Sequence, residues 1–406
     1  MWKPTTIVET SHKNNLLAVL TLTVVAALHG AVLSQYLPLR ARFDDEMLFN
    51  RMFFGVLIFA VTQVVFLPVW GAFSDRLGRR RMIDYTLVAS AAASLLSFAP
   101  LLHLQLPQRF IAPLCSGIAT AGLVLAVSYS LIPNEQRAST RLLGSILCGF
   151  FGGAGSMLLL RFFCSSISPE NTSMFSSGIL IFVSAWAIVW VHMNLPDVFR
   201  TSHAFTGINA LQGLWHGFGE SNRAARAVWW KMFLGTMGVA GGSFVSTLPL
   251  LGRVVSIKQG SYRPVWALVI VVLTAALVSV AVSKWPPAAR IARLLAPASA
   301  GVAAVAALLA GLVGSPAPAY LASSLAGSAM GLALVVVLRH FYTAANPESA
   351  GAELGAVFSI WFAGFFTGLL PALYFFRDIN QLTFGLSFCA AIVSFQLCRR
   401  AGLPSA

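Results

Sequence analysis

Only one ionisable side chain falls near the middle of an apolar stretch: His29, in a run from about residue 15 to 39. An imidazole titrates near neutrality, with an unperturbed pKa of about 6.5, so at that depth it can pass protons or bind a solute. It can equally serve as a neutral hydrogen-bonding residue in a packed helix. Gln35 and Tyr36 share its run, and Gln63, Tyr129, Ser243, Thr247 and Trp361 stand in others. Their amide, hydroxyl, phenol and indole groups can hydrogen-bond a solute or join helices to one another. These eight form the candidate substrate-binding set.

The chemistry that is missing narrows the choice. All 13 acidic residues fall between apolar runs or near their ends. A charge at mid-bilayer costs about 2.5–3.5 kcal/mol or more, so a buried carboxylate as proton carrier is not expected. A highly charged solute is not expected either, because it would need fixed countercharges. Neither HExxH nor GxSxG is present, so no enzyme, catalytic residue or cofactor is expected. The ATP-binding pattern GxxxxGK[ST] is absent too. The five cysteines, Cys115, Cys148, Cys164, Cys389 and Cys398, lie in or at the ends of apolar runs without CxxC spacing. They read as small packing residues, with no metal or disulfide framework.

Residues with this chemistry must be positioned by helices in lipid. Only 10% of the chain is charged and 57% is hydrophobic, with mean hydropathy +0.79. A soluble domain carries about 25% charged residues. A helix needs about 20 apolar residues to cross a bilayer. Runs of that size fall at 15–39, 47–72, 82–104, 110–132, 142–164 and 175–194, then at 229–251, 264–285, 296–315, 318–339, 353–376 and 379–398. The first run reads as a retained span, not a cleaved signal. Twelve spans put both termini on one side, which then holds 18 of the 27 Lys and Arg residues against 9 opposite. The positive-inside rule places that side in the cytosol. The net charge of +14 is therefore a topology signal and not a nucleic-acid surface. The sequon at Asn171 falls on the opposite side, where a secretory membrane would allow glycosylation.

The division expected is an N-terminal bundle (1–194), a cytosolic linker (195–228) and a C-terminal bundle (229–406). In the linker, Phe205, Ile208, Leu211, Leu214, Trp215 and Phe218 recur at helical spacing, as in an interfacial amphipathic helix. The bundles echo each other about 211 residues apart. Leu37-Pro38-Leu39 matches Leu248-Pro249-Leu250, and Gly144 matches Gly355. A parallel repeat implies a cavity between two similar halves.

After the second span comes Gly71-Ala72-Phe73-Ser74-Asp75-Arg76-Leu77-Gly78-Arg79-Arg80-Arg81-Met82-Ile83. This resembles the major facilitator superfamily signature G-x-L-a-D-r-x-G-r-k-x-x-l, with Phe73 and Ser74 as departures. Pro133-Asn134-Glu135-Gln136-Arg137 resembles the family's acidic-then-Arg element. The fifth span has the glycines of proton-coupled drug exporters (Gly149, Gly152, Gly153, Gly155) but not their proline, and Pro286-Pro287 replaces the Asp-Arg pair in the second half.

The resemblance implies an all-α membrane protein of twelve helices in two pseudo-symmetric bundles, working as a monomeric transporter by alternating access. It also implies a conformational latch of Gly71, Asp75, Arg76, Gly78, Arg79, Arg80, Glu135 and Arg137. Asp75 would sit at the N-terminus of the eleventh span, near Glu353. Glu135 would pair with Arg79 or Arg80, and Arg137 with Asp75. The expected solute is small, organic and neutral or amphipathic, with protons as a candidate coupling ion. The alternatives are a gradient-driven facilitator and a non-transporting receptor or assembly protein of the same fold.

Overall fold

The computed structural model describes residues 12–35, 46–96, 108–130, 136–167, 172–195, 263–285, 289–313, 316–344 and 350–374. These form eleven helices: α1 (His12–Gln35), α2 (Glu46–Leu77), α3 (Arg79–Leu95), α4 (Gln108–Ala119), α5 (Gly122–Tyr129), α6 (Gln136–Ile167), α7 (Thr172–Asn194), α8 (Arg263–Lys284), α9 (Ala289–Val313), α10 (Pro316–Ala344) and α11 (Ala350–Tyr374). Ten of the expected spans fall on them, the fourth shared between α4 and α5. The expected spans 229–251 and 379–398 lie outside the described residues, as does the linker beyond Leu195.

Seven stretches among the described residues are long and apolar enough to cross a membrane. Their outer faces carry large apolar side chains that are about half or more exposed, such as Phe54, Val61, Phe163, Phe182 and Leu277. A water-soluble protein would not leave so many uncovered. The chain is a multi-pass helical membrane protein.

Small residues set how closely the helices pack, since lipid supplies no hydrophobic force between helices. A side-chain carbon added at Gly30, Gly149 or Gly153 would run into the backbone of the facing helix in the α1–α6 pair. The N-terminal half (α1–α7) then meets the C-terminal half (α8–α11) along two seams, α2 with α11 and α6 with α8. The repeat register explains both. Gly144 on α6 faces Ser283 of α8, and its counterpart Gly355 on α11 faces Leu67 and Pro68 of α2.

The α2–α11 seam contains an exchange that proline makes possible. Pro68 has no N–H, so within α2 the carbonyl four residues earlier, Val64, loses its usual partner. Ser359 of α11 donates its hydroxyl to that carbonyl. Nearer the arginine-rich end, Gly71 lies directly against Gly351, with no room for a side chain on either. Gly71→Ala is therefore expected to push the two backbones apart. Hydrogen–deuterium exchange at the first turn of α11 should then accelerate at least about tenfold, the effect of roughly one lost hydrogen bond. Unchanged exchange would show that the contact is not tight.

Candidate functional site

The signature loop is almost wholly helical. α2 runs to Leu77, α3 starts at Arg79, and only Gly78 departs, at φ 97°. That left-handed backbone favours glycine and turns the chain in a single residue. The compact turn leaves Asp75 on the last turn of α2, facing α11. Its Oδ1 accepts from the Gly351 N–H and its Oδ2 from the Ala352 N–H, both at 2.9 Å. These are N–H groups with no partner inside their own helix, so the carboxylate caps α11 and lies on the positive end of its dipole.

Arg79 is fully buried. It lies 3.6 Å from Asp75 Oδ1 and donates to the Ser128 carbonyl of α5. Arg80 instead donates to the His192 carbonyl at the surface, 3.1 Å away, while the His192 ring sits 3.3 Å from Asp84. Glu135 lies outside the described residues and the Arg137 side chain is not described. Arg76 is half-buried on the last turn of α2.

The second cluster is built on a break in the fourth span. α4 stops at Ala119 and α5 begins at Gly122, with Thr120 and Ala121 outside both helices. In hydrocarbon every freed backbone group must find a partner within the protein. The carbonyls of Ile118, Ala119 and Thr120 accept, respectively, from Trp70 Nε1, from Ser90 Oγ at 3.3 Å and from Gln63 Nε2 at 3.1 Å. On the other side of the break, the Leu123 N–H donates to His29 Nδ1 at 2.9 Å. His29 and Gln63 thus close the two ends of one interruption.

The same histidine belongs to a closed ring of four aromatic side chains. His29 meets Phe150 edge-on at 5.6 Å and stacks on Phe362 at 6.1 Å; Phe150 lies 5.9 Å from Trp361, which lies 4.5 Å from Phe362. His29 and Phe150 come from the N-terminal half, Trp361 and Phe362 from α11. Among the described residues, His29 Nε2, Gln63 Oε1 and Trp361 Nε1 are buried without a hydrogen-bond partner. The His29 and Gln63 side chains do interact, but short of hydrogen-bond geometry. Each buried unpaired group costs about 1–3 kcal/mol, and three such groups at one seam need an explanation.

Of the eight candidate binding residues, the structure gathers His29, Gln63 and Trp361. Tyr129 is buried seven residues beyond Gly122, about 10 Å along α5, next to the Ser128 carbonyl that Arg79 holds. Gln35 ends α1. Tyr36, Ser243 and Thr247 lie outside the described residues. Sequence reasoning missed the break itself, with Trp70, Ser90 and Thr120, and the ring partners Phe150 and Phe362. The only local sign was the small-residue run Thr120-Ala121-Gly122.

Two halves joined along paired seams, a capped signature loop and a polar cluster between the halves define the major facilitator fold. The chain is similar in structure to the human organic anion transporter MFSD10 (TETRAN), at a TM-score of 0.74 and 18% sequence identity. The similarity covers 96% of this chain and all of that one. At that identity the likeness establishes the fold. No family model matches the chain, and no curated protein matches it in sequence.

Proposed function

We propose that the protein is a secondary transporter that moves a small, neutral or amphipathic organic solute by alternating access. The observation that carries this reading is the cluster of His29, Gln63 and Trp361 between the two halves. A solute bound there touches both halves, so its binding and release are coupled to their separation. The solved neighbour's printed name, an organic anion transporter, supports a solute carrier. No catalytic role is proposed. The signature loop acts as the latch: Asp75 holds α11 when that end is closed and releases it when the halves part. The excess of Lys and Arg at that end supports a cytosolic position for it and for both termini.

Protons enter the scheme through His29. Nδ1 is committed to the Leu123 N–H, so a second proton on the ring must displace that bond and uncap α5. Proton uptake would thereby change the backbone at the break. The test is solute counterflow in proteoliposomes at a series of pH values. His29→Ala should flatten the pH profile. His29→Asn keeps an acceptor near the Nδ1 position but does not titrate, and it should flatten the profile while preserving the fold. An unchanged profile in both removes His29 as coupler and leaves a gradient-driven facilitator. Absence of counterflow for every solute in a broad panel would favour a receptor instead.

A further inference from the structure

We propose that the site takes a planar aromatic solute whose polar head both accepts and donates hydrogen bonds, as a carboxamide does. The inference deepens the transporter reading and rests on it only for how the site opens. The head chemistry follows from the protonation that the break in the fourth span imposes. Because His29 Nδ1 accepts from Leu123, the neutral ring must carry its proton on Nε2. That N–H is buried and unpaired among the described residues, and so is the indole N–H of Trp361. Gln63 commits its amide nitrogen to the Thr120 carbonyl, which leaves Oε1 as an unpaired acceptor. The cluster therefore offers two donors and one acceptor.

The body chemistry follows from the walls. Phe150, Phe362 and Trp361 surround His29, and Phe358, Phe59 and Phe366 continue the aromatic lining, with Phe366 6.4 Å from Phe59 and 6.1 Å from Phe362. Edge-on and stacked rings accept another ring in the same arrangements. None of these residues is charged. A carboxylate head would find the two donors but no countercharge in the cluster, and nothing to give Gln63 Oε1. A cationic head would find Gln63 Oε1 and the ring faces. It would also meet the His29 and Trp361 N–H groups, which repel it, and no carboxylate among these residues offsets its desolvation. In the closed arrangement the rings cover the polar atoms. Because His29, Phe150 and Gln63 belong to one half and Trp361 and Phe362 to the other, parting the halves uncovers them.

The test measures binding to the purified full chain in nanodiscs, using four probes with one aromatic body: naphthamide, naphthoate, methylnaphthalene and naphthylmethylammonium. Thermal stabilisation reports binding without requiring transport. Naphthamide should bind most tightly. Methylnaphthalene should be at least about tenfold weaker, the effect of roughly one good hydrogen bond. Naphthoate should fall between them, and the ammonium should give no shift beyond empty nanodiscs. Trp361→Phe keeps a ring but loses the indole N–H. It should weaken naphthamide about tenfold and leave methylnaphthalene unchanged; Phe150→Leu, which removes a wall, should weaken both. Equal binding of naphthamide and methylnaphthalene, or tightest binding by naphthoate or the ammonium, overturns the proposal. Such a result alongside active counterflow of other solutes would sink the head chemistry alone. Naphthamide binding without counterflow of any solute would uphold it and remove the transporter.

Discussion

Replacing Asp75 with Asn is expected to open the arginine-rich end of the molecule. The carboxylate accepts two backbone N–H groups from α11, one on each oxygen. A carboxamide of the same shape has only one acceptor oxygen, and its NH2 group would point at an N–H. Hydrogen bonds to a charged group contribute about 1.5–3 kcal/mol each, and the favourable interaction with the helix dipole goes as well. The closed arrangement should lose about 2–4 kcal/mol, a roughly 30- to 900-fold change in its equilibrium with the open one. Exchange of the Gly351 and Ala352 amides should accelerate by that factor. Spin labels on the outer faces of α2 and α11 near Asp75 should report longer separations. Asp75→Glu should not restore the cap, because the longer side chain enters a space with no room even for a carbon on Gly351. If the amides of Asp75→Asn exchange as slowly as those of the wild type, the latch has no mechanical role.

Arg79→Met should cost more in folding than in switching. The guanidinium is buried between Asp75 and the Ser128 carbonyl, so it joins α3 to α5 and neutralises the capping carboxylate. Removing one member of a buried pair typically costs 3–5 kcal/mol, since the remaining charge keeps its desolvation penalty. About 3 kcal/mol of the unfolding free energy should be lost in mixed micelles. Arg79→Lys should recover little, because an ammonium cannot reach two directions with a fixed fork. The double replacement with Asp75→Asn should cost at least about 1 kcal/mol less than the sum of the single changes, because the carboxylate left behind is the source of the penalty. Strict additivity would mean that the two groups act independently.

The helices were legible because the bilayer imposes a length and a polarity that any apolar run must satisfy. The signature loop was legible because Gly71, Asp75 and Gly78 sit at fixed offsets that a turn and a helix cap require. Arg79, Arg80 and Arg81 look alike in sequence. Only the 100° advance per residue sends the first inward to Asp75 and leaves its neighbours outside. The break at Thr120 was not legible, because no local residue causes it. It exists because Trp70, Ser90, Gln63 and His29, up to about ninety positions away in the chain, supply partners for the freed backbone. For the same reason His29 and Gln63 could be picked out as unusual, while the tie between them could not. Phe150 and Phe362 were hidden by abundance, since the chain has 30 phenylalanines and nothing distinguishes the two that flank the histidine.

The serine that answers Pro68 bears on wear. In the proposed transport cycle α2 and α11 separate, and the Ser359 hydroxyl can then turn back to a carbonyl of its own helix, as serines in helices commonly do. Water entering the widened crevice can take the place it vacated on Val64. Neither partner is stranded, so parting costs an exchange of acceptors and not an abandoned bond. A seam held this way can be unzipped and rejoined through many cycles while each helix stays intact.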